Sequence, residues 1–342
     1  MIYFRSDYSQ GAHPDVLQAL IDTNMEHSDG YALDVHSDHA RQMIKDLIGV
    51  EDCDVHMMVG GTPTNIITIA AALKPYEAVV APRSGHIYLH ECGGVEAAGH
   101  KIIPMTPVDG KLTPELIDEA WLEYEDDHTP IPKMAYISHT TEFGTTYTKA
   151  ELVALRKCCD EHDMFLYLDG ARLGTALTCK GNDLSIKDIA KLVDAFYIGG
   201  TKNGALFGEA VVILNEKIND HYRWMIKQNC GMLAKGRLIG VQFEALLKGG
   251  ENSIYYKMAD HSNKMALMLK EGIEGAGYKL KGTSNTNQIF PIFSNEMVKE
   301  LEKDFFFYDW EKWDDDNRVI RLVTSWGTTE DDVKAFLKAL NK

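Results

Sequence analysis

The sequence predicts an α/β protein in which a mainly parallel, seven-stranded sheet domain is followed by a smaller α+β C-terminal domain. Two observations carry that expectation. Short apolar runs with strand character alternate with helical patterns through the first two thirds of the chain, as in consecutive βα units. From about Leu238 the pattern changes: it is helical through Leu269 and then breaks into shorter strand-like and helical runs.

Taken in order, strands are expected over 55–59, 78–81, 101–104, 134–138, 165–168, 195–198 and 210–214. Helices are expected between them over 63–73, 113–124, 149–162 and 186–192. The second of these opens with Thr113, Pro114 and Glu115, where proline sits at a position whose N–H has no helical partner in any case. Beyond 269, strand-like runs over 288–293 and 319–324 alternate with helices near 295–303 and 330–340. The expected division is an N-terminal arm over 1–13, a large α/β domain over 14–247 and a small α+β domain over 248–342. The acidic stretch 309–316, with Trp310 and Trp313, reads as an exposed connection.

Composition narrows the function classes. The 342 residues are 45% hydrophobic and 25% charged, an ordinary soluble globular profile. A formal net charge of -16 would repel a phosphate backbone or an anionic membrane surface, so neither nucleic acid nor membrane is expected as a partner. The apolar stretch 66–73 is stopped by Lys74 and Pro75, well short of the roughly 20 residues that span a bilayer. Six cysteines without C-x-x-C spacing, and an N-terminus without a basic-then-apolar segment, predict a reduced, cytoplasmic compartment.

The chemistry begins with Phe165–Asp169, an apolar strand that ends in an acid, and the carboxyl end of a parallel strand is where open α/β sheets bind ligands. Lys202 lies 33 residues further on, in Gly199-Gly200-Thr201-Lys202-Asn203-Gly204, again where a strand runs into a loop of small residues. Alone, such a lysine reads as a solvated loop residue; with Asp169 before it, the pair matches two needs of pyridoxal phosphate. That cofactor requires a lysine for the Schiff base and an anion that keeps its pyridine nitrogen protonated, so that the ring can accept an electron pair from Cα. Its phosphate has a candidate cradle in Gly60, Gly61 and Thr62, where a strand end meets a helix start, a turn that also occurs without any ligand. His86 follows the strand ending near Ala81 and could lie on the cofactor ring. His86 and His90 are four apart with Glu91 adjacent, but no third ligand stands at a recognised spacing and no metal is expected. Arg172 and Arg321 are candidates for gripping a substrate carboxylate, and Arg321 reads equally as a surface ion pair.

These motifs together resemble the threonine aldolase and β-eliminating lyase family of fold-type I pyridoxal-phosphate enzymes. The resemblance rests on Arg5-Ser6-Asp7, on Gly61-Thr62 with Asn65, on His86 with Gly93-Gly94, on Asp169-Gly170-Ala171-Arg172, on Thr201-Lys202 and on Arg321-Leu322-Val323-Thr324, nearly the whole length of the chain. It implies a fold-type I, transferase-like fold and retro-aldol cleavage of a β-hydroxy-α-amino acid, of the threonine, allo-threonine or phenylserine type, to glycine and an aldehyde. It further implies that Ser6, Arg172 and Arg321 hold the substrate, that Lys202 forms the aldimine and that His86 stacks on the ring. A homodimer or homotetramer with the active site at the subunit interface also follows from the resemblance.

The chain departs from the pattern at two places. Many threonine aldolases carry Asn-Thr-His-Asn-Gly before the aspartate strand, and here Thr140-Thr141-Glu142-Phe143-Gly144 puts Glu142 where a second active-site histidine would be. Such a carboxylate could act as the base, or could orient His86 or a water, if burial raises its pKa. A phosphate-binding arginine of some relatives is absent near Leu233, and Lys235 could take its place from its own or a neighbouring subunit. The same residues would also support β-elimination or transamination, which release pyruvate and ammonia or exchange the amino group instead of freeing an aldehyde. Intact Lys202, Asp169, Arg172 and Arg321 argue against a member of the fold that binds without turnover, and the missing G-x-G-x-x-G turn argues against a plain nucleotide-binding protein.

Overall fold

The computed structural model describes residues 1–340; residues 341 and 342, the last two of the expected small domain, lie outside the described residues. After a two-residue strand β1 (Ile2–Tyr3), the chain runs through β2 (Asp54–Met58), β3 (Glu77–Pro82), β4 (Lys101–Met105), β5 (Ile131–Ser138), β6 (Phe165–Asp169), β7 (Ala195–Gly199) and β8 (Glu209–Ile213). Strands β2 to β8 form one seven-stranded sheet in the order β2-β8-β7-β6-β5-β3-β4. Pairing is parallel from β7 across to β4. Only β8 runs the other way, antiparallel to both β2 and β7. The run expected over 210–214 therefore begins one residue earlier, and Glu209 stands opposite Gly199 at the edge where the parallel strands end.

Because side chains alternate along a strand, each buried strand feeds two cores. Ala78 and Val80, Ala135 and Ile137, and Leu166 and Leu168 pack on one face. Val79 and Ala81, Met134 and Tyr136, and Phe165 and Tyr167 pack on the other, with Tyr197. The covering helices start at side-chain caps. Asp34 accepts the Ser37 N–H at the start of Val35–Ile48, and reciprocal capping boxes, Thr148 with Glu151 and Ser185 with Asp188, open Lys149–Glu161 and Ile186–Leu192. The helical stretch expected from 238 to 269 is two helices, Arg237–Leu247 and Ile254–Gly275, parted at Gly249 and Gly250, whose φ of 98° and 62° end the first.

The smaller domain is an antiparallel sheet of β9 (Lys279–Leu280), β10 (Gln288–Ile289), β11 (Pro291–Ser294), β13 (Tyr308–Lys312) and β14 (Asn317–Val323). Strand β12 (Phe305–Phe306) pairs in parallel with β1, which ties the N-terminal arm to this domain. Phe4 is buried there with its ring edge-on to Phe336, 5.5 Å away. The acidic stretch 309–316 is thus not a plain connection: its first half belongs to β13, whose pairing with β14 sets Tyr308 opposite Arg321. Trp313 does remain exposed, at 51%.

Gly170 shows how tightly the sheet edge is drawn. A Cβ built there would lie 1.7 Å from the Tyr197 carbonyl oxygen, so only glycine lets β6 turn against β7 directly after Asp169. Gly170→Ala is expected to lower the unfolding free energy by about 3 kcal/mol or more, read from the midpoint of urea unfolding; a midpoint equal to that of the unaltered chain would mean that the turn has room to relax.

Candidate active site

The ends of the parallel strands and the strands β13 and β14 enclose a cavity of about 670 Å³. Gly61, Thr62, His86, Glu142, Asp169, Arg172, Lys202 and Arg321, all singled out in the sequence, line it. Two others do not. The Ser6 hydroxyl is paired with that of Ser9 at 2.9 Å, and Lys235 is exposed at the surface. Tyr8, Glu209, Tyr308 and Trp310 line the cavity without having been expected there.

Asp169 is the most heavily bonded group. One of its oxygens accepts from Tyr136 Oη at 2.6 Å and Asn65 Nδ2 at 3.0 Å; the other accepts from Tyr197 Oη at 2.6 Å and the Ala171 N–H at 2.9 Å. Burial alone would raise its pKa, but the hydrogen bonds of Tyr136, Tyr197 and Ala171 and the nearby His86 ring outweigh it and hold the carboxyl below its ordinary value. It therefore stays ionised. The tyrosines arrive by register: Tyr136, Tyr167 and Tyr197 each stand two residues before the end of a strand, on the same face of neighbouring strands β5, β6 and β7. Tyr167 donates to Asn65 Oδ1 at 2.9 Å and so fixes which end of that amide faces Asp169. The recurrence of tyrosine two places before each strand end was a signal in the sequence.

The network continues to His86. Asn65 Nδ2 also reaches Glu91 Oε1 at 2.8 Å, and that oxygen lies 2.8 Å from His86 Nδ1. Glu91 is buried, and burial pushes its pKa up against the hydrogen bonds from His86 and Asn65. The imidazole is thus oriented from one side while its other edge stays toward the cavity.

Arg172 is held by a residue from the arm. Its Nε and Nη2 meet the two oxygens of Asp7 at 2.6 and 3.0 Å, a bidentate pair in which Asp7 is almost fully buried. Asn287 Nδ2 donates to the same carboxylate at 3.0 Å. Arg321 has no such partner: its guanidinium lies 4.8 Å from the ring centre of Tyr308 and 4.9 Å from that of Trp310, and its buried Nε has no hydrogen-bond acceptor. Burial, and then the repulsion of Arg172, lower its pKa to about 10. A buried donor left open in this way is an invitation to an anion.

Glu142 is the counterpart among the acids. Its Oε1 accepts from Ser138 Oγ and from the His86 N–H, both at 3.0 Å, while its buried Oε2 has no partner. Burial dominates and raises its pKa to about 6. For Lys202, burial and then the charge of Arg172 lower the pKa, against the pull of Asp7, Asp169 and Glu209. Gly60, at the start of the helix Gly61–Ala72, offers no side chain to the first-turn N–H groups, and Gly60, Gly61 and Thr62 all line the cavity. A Cβ at Gly61 would lie 3.1 Å from Tyr197 Oη, and glycine leaves that approach open.

This set fits pyridoxal phosphate on observations of the chain itself: an ionised buried carboxylate, a lysine eased toward its free amine, and a glycine turn at a helix start, all lining one cavity. The β-eliminating lyase family model matches residues 3–296. The chain belongs to the β-eliminating lyase family. A low specificity L-threonine aldolase of Pseudomonas aeruginosa is 30% identical over 87% of this chain and 86% of its own. A solved structure of Leishmania major threonine aldolase is 45% identical, covers 100% of this chain and 99% of its own, and superposes with a TM-score of 0.98. Thermus thermophilus aspartate aminotransferase, at 15% identity, covers 99% of this chain and 90% of its own with a TM-score of 0.72, a likeness of fold alone. The fold is that of fold-type I pyridoxal-phosphate enzymes, and pyridoxal phosphate is the cofactor of this lyase.

The raised carboxyl of Glu142 has a measurable consequence. A group whose pKa is higher in the folded chain than its ordinary 4.5 contributes stability below that value and loses it as pH rises through about 6. In cofactor-free protein, Glu142→Gln should therefore flatten the fall in stability across that window, by about 2 kcal/mol, in urea titrations at successive pH values. Parallel curves for the two proteins would place the burial cost elsewhere.

Proposed function

We propose that this protein cleaves β-hydroxy-α-amino acids of the L-threonine type, by a retro-aldol reaction, to glycine and an aldehyde. The observation that carries the reading is that one cavity lining holds Lys202 and Asp169 together with a guanidinium whose buried Nε has no acceptor, Arg321, and a carboxylate oxygen without a partner, Glu142 Oε2. The names of the Pseudomonas and Leishmania relatives support the choice of threonine.

Lys202 would hold the cofactor through its aldehyde, its amine made available by burial. Asp169, held ionised, would keep the pyridine nitrogen protonated. Gly61 and Thr62 would hold the phosphate, and His86, oriented by Glu91, would support the ring. Bound pyridoxal phosphate supplies the electron sink for the pair released when the Cα–Cβ bond breaks. Arg321 binds the substrate carboxylate together with Arg172, which Asp7 holds in place. Ser6 lies in the arm one residue before Asp7 and completes the substrate contacts if its hydroxyl turns from Ser9. Glu142, ionised above about pH 6, takes the proton of the β-hydroxyl on Oε2 while Ser138 and the His86 N–H steady Oε1.

The same proposal includes a homodimer or homotetramer whose interface closes the site. Met25, Tyr31, Leu33 and Val35 are 84%, 42%, 57% and 55% exposed, an unusual run of apolar surface for a monomer. The Tyr31 N–H binds the Ala234 carbonyl, so this surface adjoins Lys235, which a neighbouring copy would bring to the phosphate. The division into an arm over 1–13, a large domain over 14–247 and a small domain over 248–342 is supported by the Gly249-Gly250 break. A cytoplasmic setting is supported by six free cysteines; no described helix is long and apolar enough to cross a membrane.

The decisive experiment is an absorbance spectrum of the purified protein with threonine, allo-threonine and phenylserine added in turn and aldehyde assayed alongside. A band near ~420 nm, absent from Lys202→Ala, with glycine and aldehyde released, is the expected result. Pyruvate and ammonia as products, or a protein that stays colourless with added cofactor, would overturn the reading. The pH profile of kcat/KM should fall on the acid side near 6 as Glu142 is protonated. Glu142→His should shift the ratio of threonine to phenylserine cleavage; an unchanged ratio would remove Glu142 from the account of specificity.

A further inference from the structure

The cavity contains a second buried acid to which the reaction above gives no task. Glu209 is 4% exposed and lines the cavity at the first residue of β8. Because β8 runs antiparallel, its start lies level both with Gly199, at the end of β7, and with Met58, at the end of β2. The chain after Met58 becomes the Gly60-Gly61-Thr62 turn, and the chain after Gly199 becomes Gly200, Thr201 and Lys202. Glu209 is therefore pinned between the two loops that frame the phosphate end of the site.

Its surroundings disfavour a charge. The Gly200 N–H donates to Oε2 at 2.7 Å. Burial nevertheless prevails over the hydrogen bonds from Thr201 and Gly200 and the attraction of Lys202, and lifts the pKa to about 7. Lys202 is the cation that faces Glu209. Tyr197 on β7 and Tyr255 on the helix Ile254–Gly275 also feel its charge, and burial raises both so far that they stay neutral. A phosphate bound at the Gly60-Gly61-Thr62 turn would add negative charge beside the carboxyl. That change favours the protonated acid.

We propose that Glu209 is carried protonated when the cofactor binds and donates its proton in a hydrogen bond to the phosphate, so that this site takes up the phosphate ester and a proton together. The inference rests on the reading of Gly61 and Thr62 as the phosphate cradle. It identifies Glu209 as a cofactor-binding residue and makes affinity depend on pH through the phosphate end alone.

The test compares the dissociation constants of pyridoxal phosphate and of unphosphorylated pyridoxal between pH 6 and pH 9 for the unaltered protein, Glu209→Gln and Thr62→Ala. The expected result is that above neutrality the unaltered protein loses affinity for pyridoxal phosphate more steeply than Glu209→Gln, the difference in slope approaching tenfold for each pH unit, while pyridoxal shows no such difference. Identical slopes for the two proteins would overturn the proposal. Thr62→Ala separates the two readings: weakened binding of pyridoxal phosphate but not of pyridoxal upholds the cradle, and unchanged binding of both removes the cradle and the proposal with it. Should Glu209→Gln fail to fold, infrared difference spectra on adding pyridoxal phosphate in a Glu142→Gln background read the same point. A protonated-carboxyl band that grows at pH 8 supports the proposal, and a band that does not grow refutes it.

Discussion

The structure depends on keeping one negative charge ionised inside a low-dielectric core. An isolated carboxylate buried there would take up a proton, because desolvation penalises the charged form by far more than a single hydrogen bond returns. Asp169 avoids this by drawing donors from four places: Tyr136 on β5, Tyr197 on β7, Asn65 on the helix Gly61–Ala72 and the Ala171 N–H in the turn that follows. Those donors fix the relative height of three strands and one helix. The glycine at 170 is part of the same arrangement, since the turn that brings the Ala171 N–H back to the carboxylate also presses the backbone against Tyr197.

Around that charge the other ionisable groups are graded by their partners. Arg172 is neutralised by Asp7 and becomes a rigid fixture; Arg321, with only aromatic faces beside it, keeps an unspent positive charge. The cavity lining therefore combines an unpaired guanidinium with the start of the helix Gly61–Ala72, two features that favour anions. Glu142 and Glu209 line the same cavity with pKa values raised by burial to about 6 and about 7, so both exchange protons near neutrality while Asp169 does not. Three buried carboxyls in one cavity differ in behaviour because of the number of donors each has, and this is how a site can hold a fixed anion and mobile protons together.

Much of this was legible in the sequence where the signal is local. The alternation of apolar runs with helices marked the sheet, and Asp169 and Lys202 stood out because Asp169 ends one buried strand and Lys202 lies in the small-residue loop that leaves another. The reading faltered where a residue's meaning comes from a distant partner. Asp7 and Arg172 are 165 positions apart, and the arm bears no mark of the arginine it will meet. Trp310 lies in an acidic stretch that looks solvated, until pairing with β14 turns it toward Arg321.

The sequence by itself determined the seven strands of the large sheet and the four helices expected between them, and it singled out residues of the right chemistry for pyridoxal phosphate, because periodicity, caps and short motifs are properties of neighbouring residues. Only the tertiary structure decided the strand order β2-β8-β7-β6-β5-β3-β4 and the reversed direction of β8. With them it decided that Glu209 enters the site and that Asn65, 104 residues before Asp169, supports its charge. Strand order and register are fixed by the packing of both sheet faces at once, and no stretch of sequence contains both sides of that contact.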